Sequence, residues 1–161
     1  MKRRTLFPIL GAGLASAQTP YLPRFFDETQ YRALHALADT LLPDDGSVPG
    51  AVQVRVPWFI DTTLHYTASA PRQTWLDGLK TMDEEAMKDH GKPFADLSEE
   101  KRIAVMERLS RNEKMPQSAG ERFFVFARRQ VVEAWALSAE GQRRGLGYTG
   151  NVAIAEFKAG S

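Results

Sequence analysis

The sequence predicts an all-α fold, a single-domain bundle of about five helices with a glycine-rich C-terminal tail. Three observations support this. Apolar residues recur at steps of three and four along five separate segments. Capping residues and prolines mark the ends of these segments. No stretch shows the apolar–polar alternation of a half-buried strand. The 161 residues suit one domain and are enough to bury a core.

The strongest helix signal begins at Ser118. Ser118 and Glu121 stand three residues apart and form a capping box, in which each side chain accepts from a free backbone N–H of the other. The apolar stripe that follows comprises Phe123, Phe124, Ala127, Val131, Ala134 and Trp135. Phe126 and Val132 widen this stripe beyond what a surface helix needs. We therefore expect this helix to be covered on more than one side, by its own domain or by another chain.

The tail after this helix contains Gly141, Gly145, Gly147 and Gly150 and cannot form a regular α-helix. It is predicted to be a shaped surface loop.

Two helices are predicted in the first part of the body. Asp27 and Gln30 form a capping box for the first helix, and Pro43 ends it because the residue before a proline resists helical dihedrals. A turn rich in proline, aspartate and glycine follows. The second helix begins at or near Pro57, which suits a first helical position.

A third helix is predicted to open at Ser69 and to close at Gly91, and a fourth is predicted to be capped by Ser98. The buried stripe of the fourth helix is predicted to comprise Ile103, Met106 and Leu109. One face of the third helix is predicted to be solvated; it carries Asp83, Glu84 and Glu85.

Residues 1–17 have the pattern of an export signal. Lys2, Arg3 and Arg4 precede a short apolar run, which ends in an Ala-Ser-Ala cleavage pattern formed by Ala15 and Ala17 around a serine. The adjacent arginines indicate the twin-arginine route. The run is too short to span a bilayer, which needs about 20 apolar residues.

The predicted division of the chain is therefore a signal over 1–17, an extended lead-in over 18–26 and a helical domain over 27–161.

Composition excludes several kinds of function. Lys2, Arg3 and Arg4 account for three of the 21 basic residues, and the remaining 18 face 20 acidic residues. A slightly acidic body argues against nucleic-acid binding, which needs a basic face. Cysteine is absent, so this chain alone cannot form a disulfide, a thiolate zinc site or an iron–sulfur cluster.

Catalytic and metal-binding patterns are also missing. His35, His65 and His90 lie on different predicted segments without a second ligand at metal-binding spacing. Asp44 and Asp45 fall in the turn after the first helix, where turn formation is a better explanation than calcium binding. The sequence predicts no catalytic, cofactor-binding or metal site.

The order and spacing of several short segments resemble the gluconate 2-dehydrogenase subunit 3 family. The resemblance covers roughly Thr29 to Phe157. The segments that carry it are Leu37-Ala38-Asp39-Thr40-Leu41-Leu42-Pro43, Pro49-Gly50-Ala51, Trp58-Phe59-Ile60-Asp61, Phe123-Phe124 and Leu146-Gly147-Tyr148-Thr149-Gly150.

The resemblance implies a non-catalytic small subunit. Its partner would be a large FAD-binding sugar or polyol dehydrogenase of the glucose–methanol–choline oxidoreductase type, with a cytochrome c subunit carrying haem c in some complexes. The small subunit would supply the export signal and carry its folded partner to the periplasm, and would meet the membrane only through partners. Candidate interface residues are Trp58, Phe124, Trp135 and Tyr148.

Two other functions remain open from the sequence. One is a stand-alone enzyme with a site around Asp44, Asp45 and His65. The other is a free periplasmic helical protein with a binding or structural role.

Overall fold

The computed structural model describes residues 21–147, and this part of the chain is all-helical. Its five α-helices confirm the predicted number and order. They are α1 (Glu28–Leu41), α2 (Val56–Tyr66), α3 (Ser69–His90), α4 (Glu99–Ser110) and α5 (Ala119–Leu137). A 3-10 turn, Phe94–Asp96, links α3 to α4, and a π-helical turn, Gly141–Gly145, follows α5. The predicted signal lies outside the described residues, as does the tail from residue 148 onward.

Local capping fixes where α1 and α5 begin. The carboxylate of Asp27 accepts from the N–H of Gln30 at 2.8 Å, and the side chain of Gln30 accepts from the N–H of Asp27 at 3.1 Å. Ser118 and Glu121 make the same reciprocal pair at the start of α5. Both predicted capping boxes are confirmed, because such pairs need only residues three positions apart.

Helix α5 lies at the centre of the body and packs against α1, α2, α3 and α4. Phe123, Phe124 and Val131 are buried along its stripe. Trp75 of α3 meets the rings of Phe123 and Phe126 edge-on, at centroid distances of 5.7 and 5.5 Å. The prediction that α5 is covered on more than one side is therefore confirmed within its own domain.

Two details of α4 differ from the prediction. Ile103 is 41% exposed, and Val105 takes its place in the core. The reason is geometric: α4 packs through Val105, Met106 and Leu109, and Ile103 lies roughly 110° around the helix from the centre of that group. Ser98 occupies the capping position, but its side chain makes no capping hydrogen bond.

The acidic face of α3 is only partly solvated. Asp83 accepts a hydrogen bond from the N–H of Phe94 at 2.9 Å, and Glu85 pairs with Arg108 at 2.8 Å. Burial raises the pKa of Asp83 even though the Phe94 N–H favours its charged form. Only Glu84 remains exposed as predicted. The other two acids fasten neighbouring elements to α3, which its own periodicity could not show.

Candidate partner interface

Residues 21–26, called the strap below, lie against α2 ahead of the first helix. The strap is held by Asp61, whose side chain is completely buried. Four strap donors converge on this carboxylate: the hydroxyl of Tyr21 at 2.6 Å and the N–H groups of Arg24, Phe25 and Phe26 at 2.8, 3.1 and 2.9 Å. A buried carboxylate needs such partners, because removing it from water is otherwise strongly unfavourable.

Two tyrosines extend this polar cluster. The rings of Tyr21 and Tyr31 are tilted against each other at 5.2 Å. Burial, together with the nearby Tyr21 and Asp61, raises the pKa of Tyr31 to about 12. Burial and the hydrogen bond to Asp61 also raise the pKa of Tyr21. Both phenols therefore stay protonated at neutral pH, and the cluster is a structural anchor.

An apolar depression runs between α2 and the end of α5, called the α2–α5 groove below. Its volume is 120 Å³. Phe59 and Leu137 stand on its walls with 43% and 68% of their surface exposed. Tyr66 is 74% exposed and lies seven residues after Phe59, on the same side of α2. Exposed apolar side chains grouped beside a depression are typical of a protein-binding surface.

A larger cavity of 850 Å³ lies between the start of α1 and α3. Leu76, Leu79 and Met87 supply its apolar lining. Some charged side chains at its rim already have partners in the same chain. Lys80 pairs with Glu84 at 3.8 Å, and Asp83 accepts a hydrogen bond from the Phe94 N–H. Its volume is within the range of small-ligand sites, but no described cluster of acids and histidines could hold a metal.

The sequence-predicted interface residues differ in how exposed they are in the structure. Phe124 is only 6% exposed and belongs to the core, so its side chain offers no surface to a partner. Trp58 is half-buried, with the Arg55 guanidinium 4.7 Å from its ring centroid. Five other predicted residues lie outside the described range: Arg3, Arg4, Ala15, Ala17 and Tyr148.

Trp135 is half-buried and joins three parts of the chain. Its indole N–H donates to the carbonyl of Pro49 at 2.8 Å. The π-helical turn packs so closely on the ring that a Cβ at Gly145 would stand 2.0 Å from it. Arg144 completes the connection by donating to the Ser47 carbonyl at 2.6 Å. Trp135 thus fastens the start of the glycine-rich tail to the turn after α1.

The acids of that turn shape the loop. Asp45 accepts from the N–H groups of Val48 and Ser47 and from the Ser47 hydroxyl. These bonds, led by the Val48 N–H, lower the pKa of Asp45. Asp44 accepts from the Gly46 N–H at 2.7 Å. His65 lies in the last turn of α2, whereas this loop leads towards its first turn. Within residues 21–147, these three residues are not part of any group of acids and histidines that could hold a metal.

Three residues of this region were not singled out from the sequence: Asp61 as an anchor, and Tyr66 and Leu137 as surface. The only local signal was the run from Trp58 to Ile60, which is wider than one helical stripe. Such a run predicts that one of its members is exposed, and here Phe59 is.

The described part of the chain is a small helical body with exposed apolar side chains grouped beside a groove. The chain belongs to the gluconate 2-dehydrogenase subunit 3 family, whose model matches residues 28–152. No curated protein and no solved structure matches the chain. None of the helices within residues 21–147 is both long and apolar enough to cross a membrane.

Proposed function

We propose that this chain is the non-catalytic small subunit of a FAD-dependent dehydrogenase complex. It binds the large subunit, helps it mature and exports it. The large subunit is of the glucose–methanol–choline oxidoreductase type and oxidises a sugar or polyol; a cytochrome c subunit with haem c completes some such complexes. The observation that carries this proposal is the family match over residues 28–152, since the family is named as a subunit of gluconate 2-dehydrogenase.

The surface of the body supports a binding role. Phe59, Tyr66 and Leu137 are exposed on and beside the α2–α5 groove. Burying such side chains against a partner is favourable by about 25 cal/mol per Å² of apolar surface. The large subunit is therefore proposed to cover this groove.

Export is the second part of the proposed role. The basic and apolar pattern of residues 1–17 supports a twin-arginine signal, and this route carries folded chains. One signal would then bring a bound partner to the periplasm. FAD would belong to that partner, and any attachment to the membrane would run through other subunits.

The binding claim is tested by expressing the tagged full chain in its native host and purifying it together with the proteins that it binds. The expected result is co-purification of a large subunit, identified by mass, that carries bound flavin and oxidises its sugar. A double variant, Phe59→Ser with Leu137→Ser, should recover at least tenfold less large subunit. Met115→Ser is the matched control, because Met115 is 73% exposed in the turn between α4 and α5.

Two results would contradict this function. The tagged chain could purify without any flavoprotein, or it could oxidise a sugar by itself. Equal recovery by the double variant and the control would reject the groove as the interface and leave the complex itself intact.

A stand-alone binding protein is the second candidate, and the 850 Å³ cavity between α1 and α3 favours it. In that case the chain expressed alone would be a soluble monomer. A Met87→Trp substitution, which fills the cavity from a half-exposed position, would abolish binding of a small ligand without disturbing the core.

A further inference from the structure

Asp61 is the one charged or polar residue that is buried among residues 21–147. Its hydrogen-bond partners are three backbone N–H groups and one phenol, and every one of these main donors belongs to the strap. A carboxylate in this position contributes nothing to the apolar core. Its placement serves to hold the strap.

The seated strap also depends on the assembled helices. Phe26 is 4% exposed and meets Trp75 of α3 edge-on at 6.4 Å. Tyr21 packs on Tyr31 of α1. Asp61 itself is on α2. The strap can therefore take its place only when α1, α2 and α3 have come together.

The strap is also the part of the described body that stands next to the predicted signal. Three residues, 18–20, separate Tyr21 from the predicted cleavage point after Ala17. A change in how the strap is held therefore acts on the segment that directly follows the predicted signal in the sequence.

We propose that Asp61 makes presentation of the export signal depend on folding of the bundle. When the helices assemble, the buried carboxylate holds the strap, and Phe26 covers Trp75. When Asp61 cannot hold the strap, Phe26 is released and the apolar side of Trp75 is exposed. A route that carries folded chains then rejects the protein. This proposal rests on the export role proposed above.

The first measurement follows the strap directly, with the full chain bound to its partner. Arg24 is exposed in the strap and gives trypsin a cleavage point there. Asp61→Asn replaces one accepting carboxylate oxygen with an amide NH2 group. This group can only donate, and it would face the donors of the strap. Cleavage after Arg24 should become about tenfold faster. This is the change expected if the free energy that holds the strap against the helices falls by about 1.4 kcal/mol.

Two further variants keep this measurement interpretable. Tyr21→Phe removes one of the four bonds without changing α2 and should accelerate the cleavage by a smaller factor, so the test survives if Asp61→Asn does not fold. Val105→Ala weakens the core on α4, which packs on α1, α3 and α5, and should leave cleavage at Arg24 unchanged. Unchanged cleavage in both strap variants would overturn the proposal.

The second measurement is export of the same variants, read as mature chain and dehydrogenase in the periplasmic fraction. Asp61→Asn should reduce export at least fivefold relative to Val105→Ala. The double variant Arg3→Lys with Arg4→Lys tests the signal independently. If the Arg3→Lys, Arg4→Lys variant is exported normally, the proposed export role is wrong and so is this inference. If export of the Arg3→Lys, Arg4→Lys variant is blocked but Asp61→Asn is exported as well as Val105→Ala, only the proposed role of Asp61 is rejected.

Discussion

At the scale of single residues, Gly78 decides how closely α3 and α5 approach. A Cβ at this position would stand 1.9 Å from Cδ2 of the buried Phe123 ring. The ring cannot move freely, because Trp75 packs edge-on against it. The contact between the two helices therefore requires a residue without a side chain, and it explains a glycine in the middle of a 22-residue helix.

Gly78→Ala is expected to lower the free energy of unfolding by about 1–3 kcal/mol, since overpacking outweighs the gain in helix propensity of roughly 1 kcal/mol. Gly120→Ala is the matched control in α5. Its nearest neighbour is the terminal Cδ2 of Leu109 at 3.0 Å, which can shift, so stability should stay level or rise slightly. Denaturant titration measures both. The interpretation is wrong if the two variants lose stability equally.

Tyr31 gives a pH dependence with a definite sign. Its pKa in the folded chain is about 12, raised mainly by burial, against about 10 in an unfolded chain. The stability that this phenol contributes is complete below pH 10 and is lost as pH rises towards 12, because the unfolded chain releases the proton more readily.

In the variant Tyr31→Phe, unfolding free energy should therefore fall less steeply between pH 10 and about 12 than in the wild type. The difference should be on the order of 1 kcal/mol, reduced by water around the partly exposed ring. Equilibrium unfolding at several alkaline pH values measures it, and near pH 7 the two chains should show the same dependence of unfolding free energy on pH. Identical slopes would show that the Tyr31 pKa is the same in both states.

At the scale of elements, Trp135 connects the end of α5 to the turn between α1 and α2. The connection consists of the indole bond to the Pro49 carbonyl and close packing on Gly145. It holds the π-helical turn in place, and the start of the glycine-rich tail becomes part of the body.

Trp135→Phe should cost about 1 kcal/mol of stability, because the half-buried Pro49 carbonyl loses its donor. Trypsin should also cleave faster after Arg143 and Arg144 in this variant, since the turn that carries them is loosened. Trp58→Phe is the control: it keeps a ring beneath the Arg55 guanidinium and should not affect that cleavage. Equal cleavage in both variants would mean that Trp135 does not hold the turn.

How much the sequence could predict depends on the distance along the chain over which each feature is determined. The capping boxes at Asp27 and Ser118 use residues three positions apart, and both were predictable. The partners of Asp61 lie 35 to 40 positions before it, and Asp83 caps a turn 11 positions later. Such contacts depend on how the helices are arranged, and no local pattern contains that information.

Exposure was difficult to predict for the same reason. Phe124 and Phe59 are both aromatic residues on apolar helices, yet one is in the core and the other is 43% exposed. The difference arises because α5 is surrounded by four helices, whereas α2 leaves one side open. Phe124 therefore presents little surface, and the apolar pattern alone could not distinguish it from Phe59.

At the scale of the whole molecule, the proposed tasks are divided between the proposed leader, residues 1–17, and the helical body. The strap separates the two, and the α2–α5 groove lies on the body. Binding of the large subunit should thus be independent of the leader. It should also stabilise this chain, since a partner that binds only the folded state adds about 2.7 kcal/mol at a concentration of 100 times its Kd.

Hydrogen exchange tests this division with the large subunit purified separately. In a chain lacking residues 1–17, the amides that exchange only by global unfolding should slow by about 100-fold when the partner is present at 100 times its Kd. Leu137→Asp, which places a charge on the groove wall, should remove most of this slowing without changing exchange of the free chain, because Leu137 is 68% exposed. Lys92→Asp, a charge change on the exposed turn after α3, should keep it. If removal of the leader alone abolished the slowing, binding would belong to the leader and the body would be only its carrier.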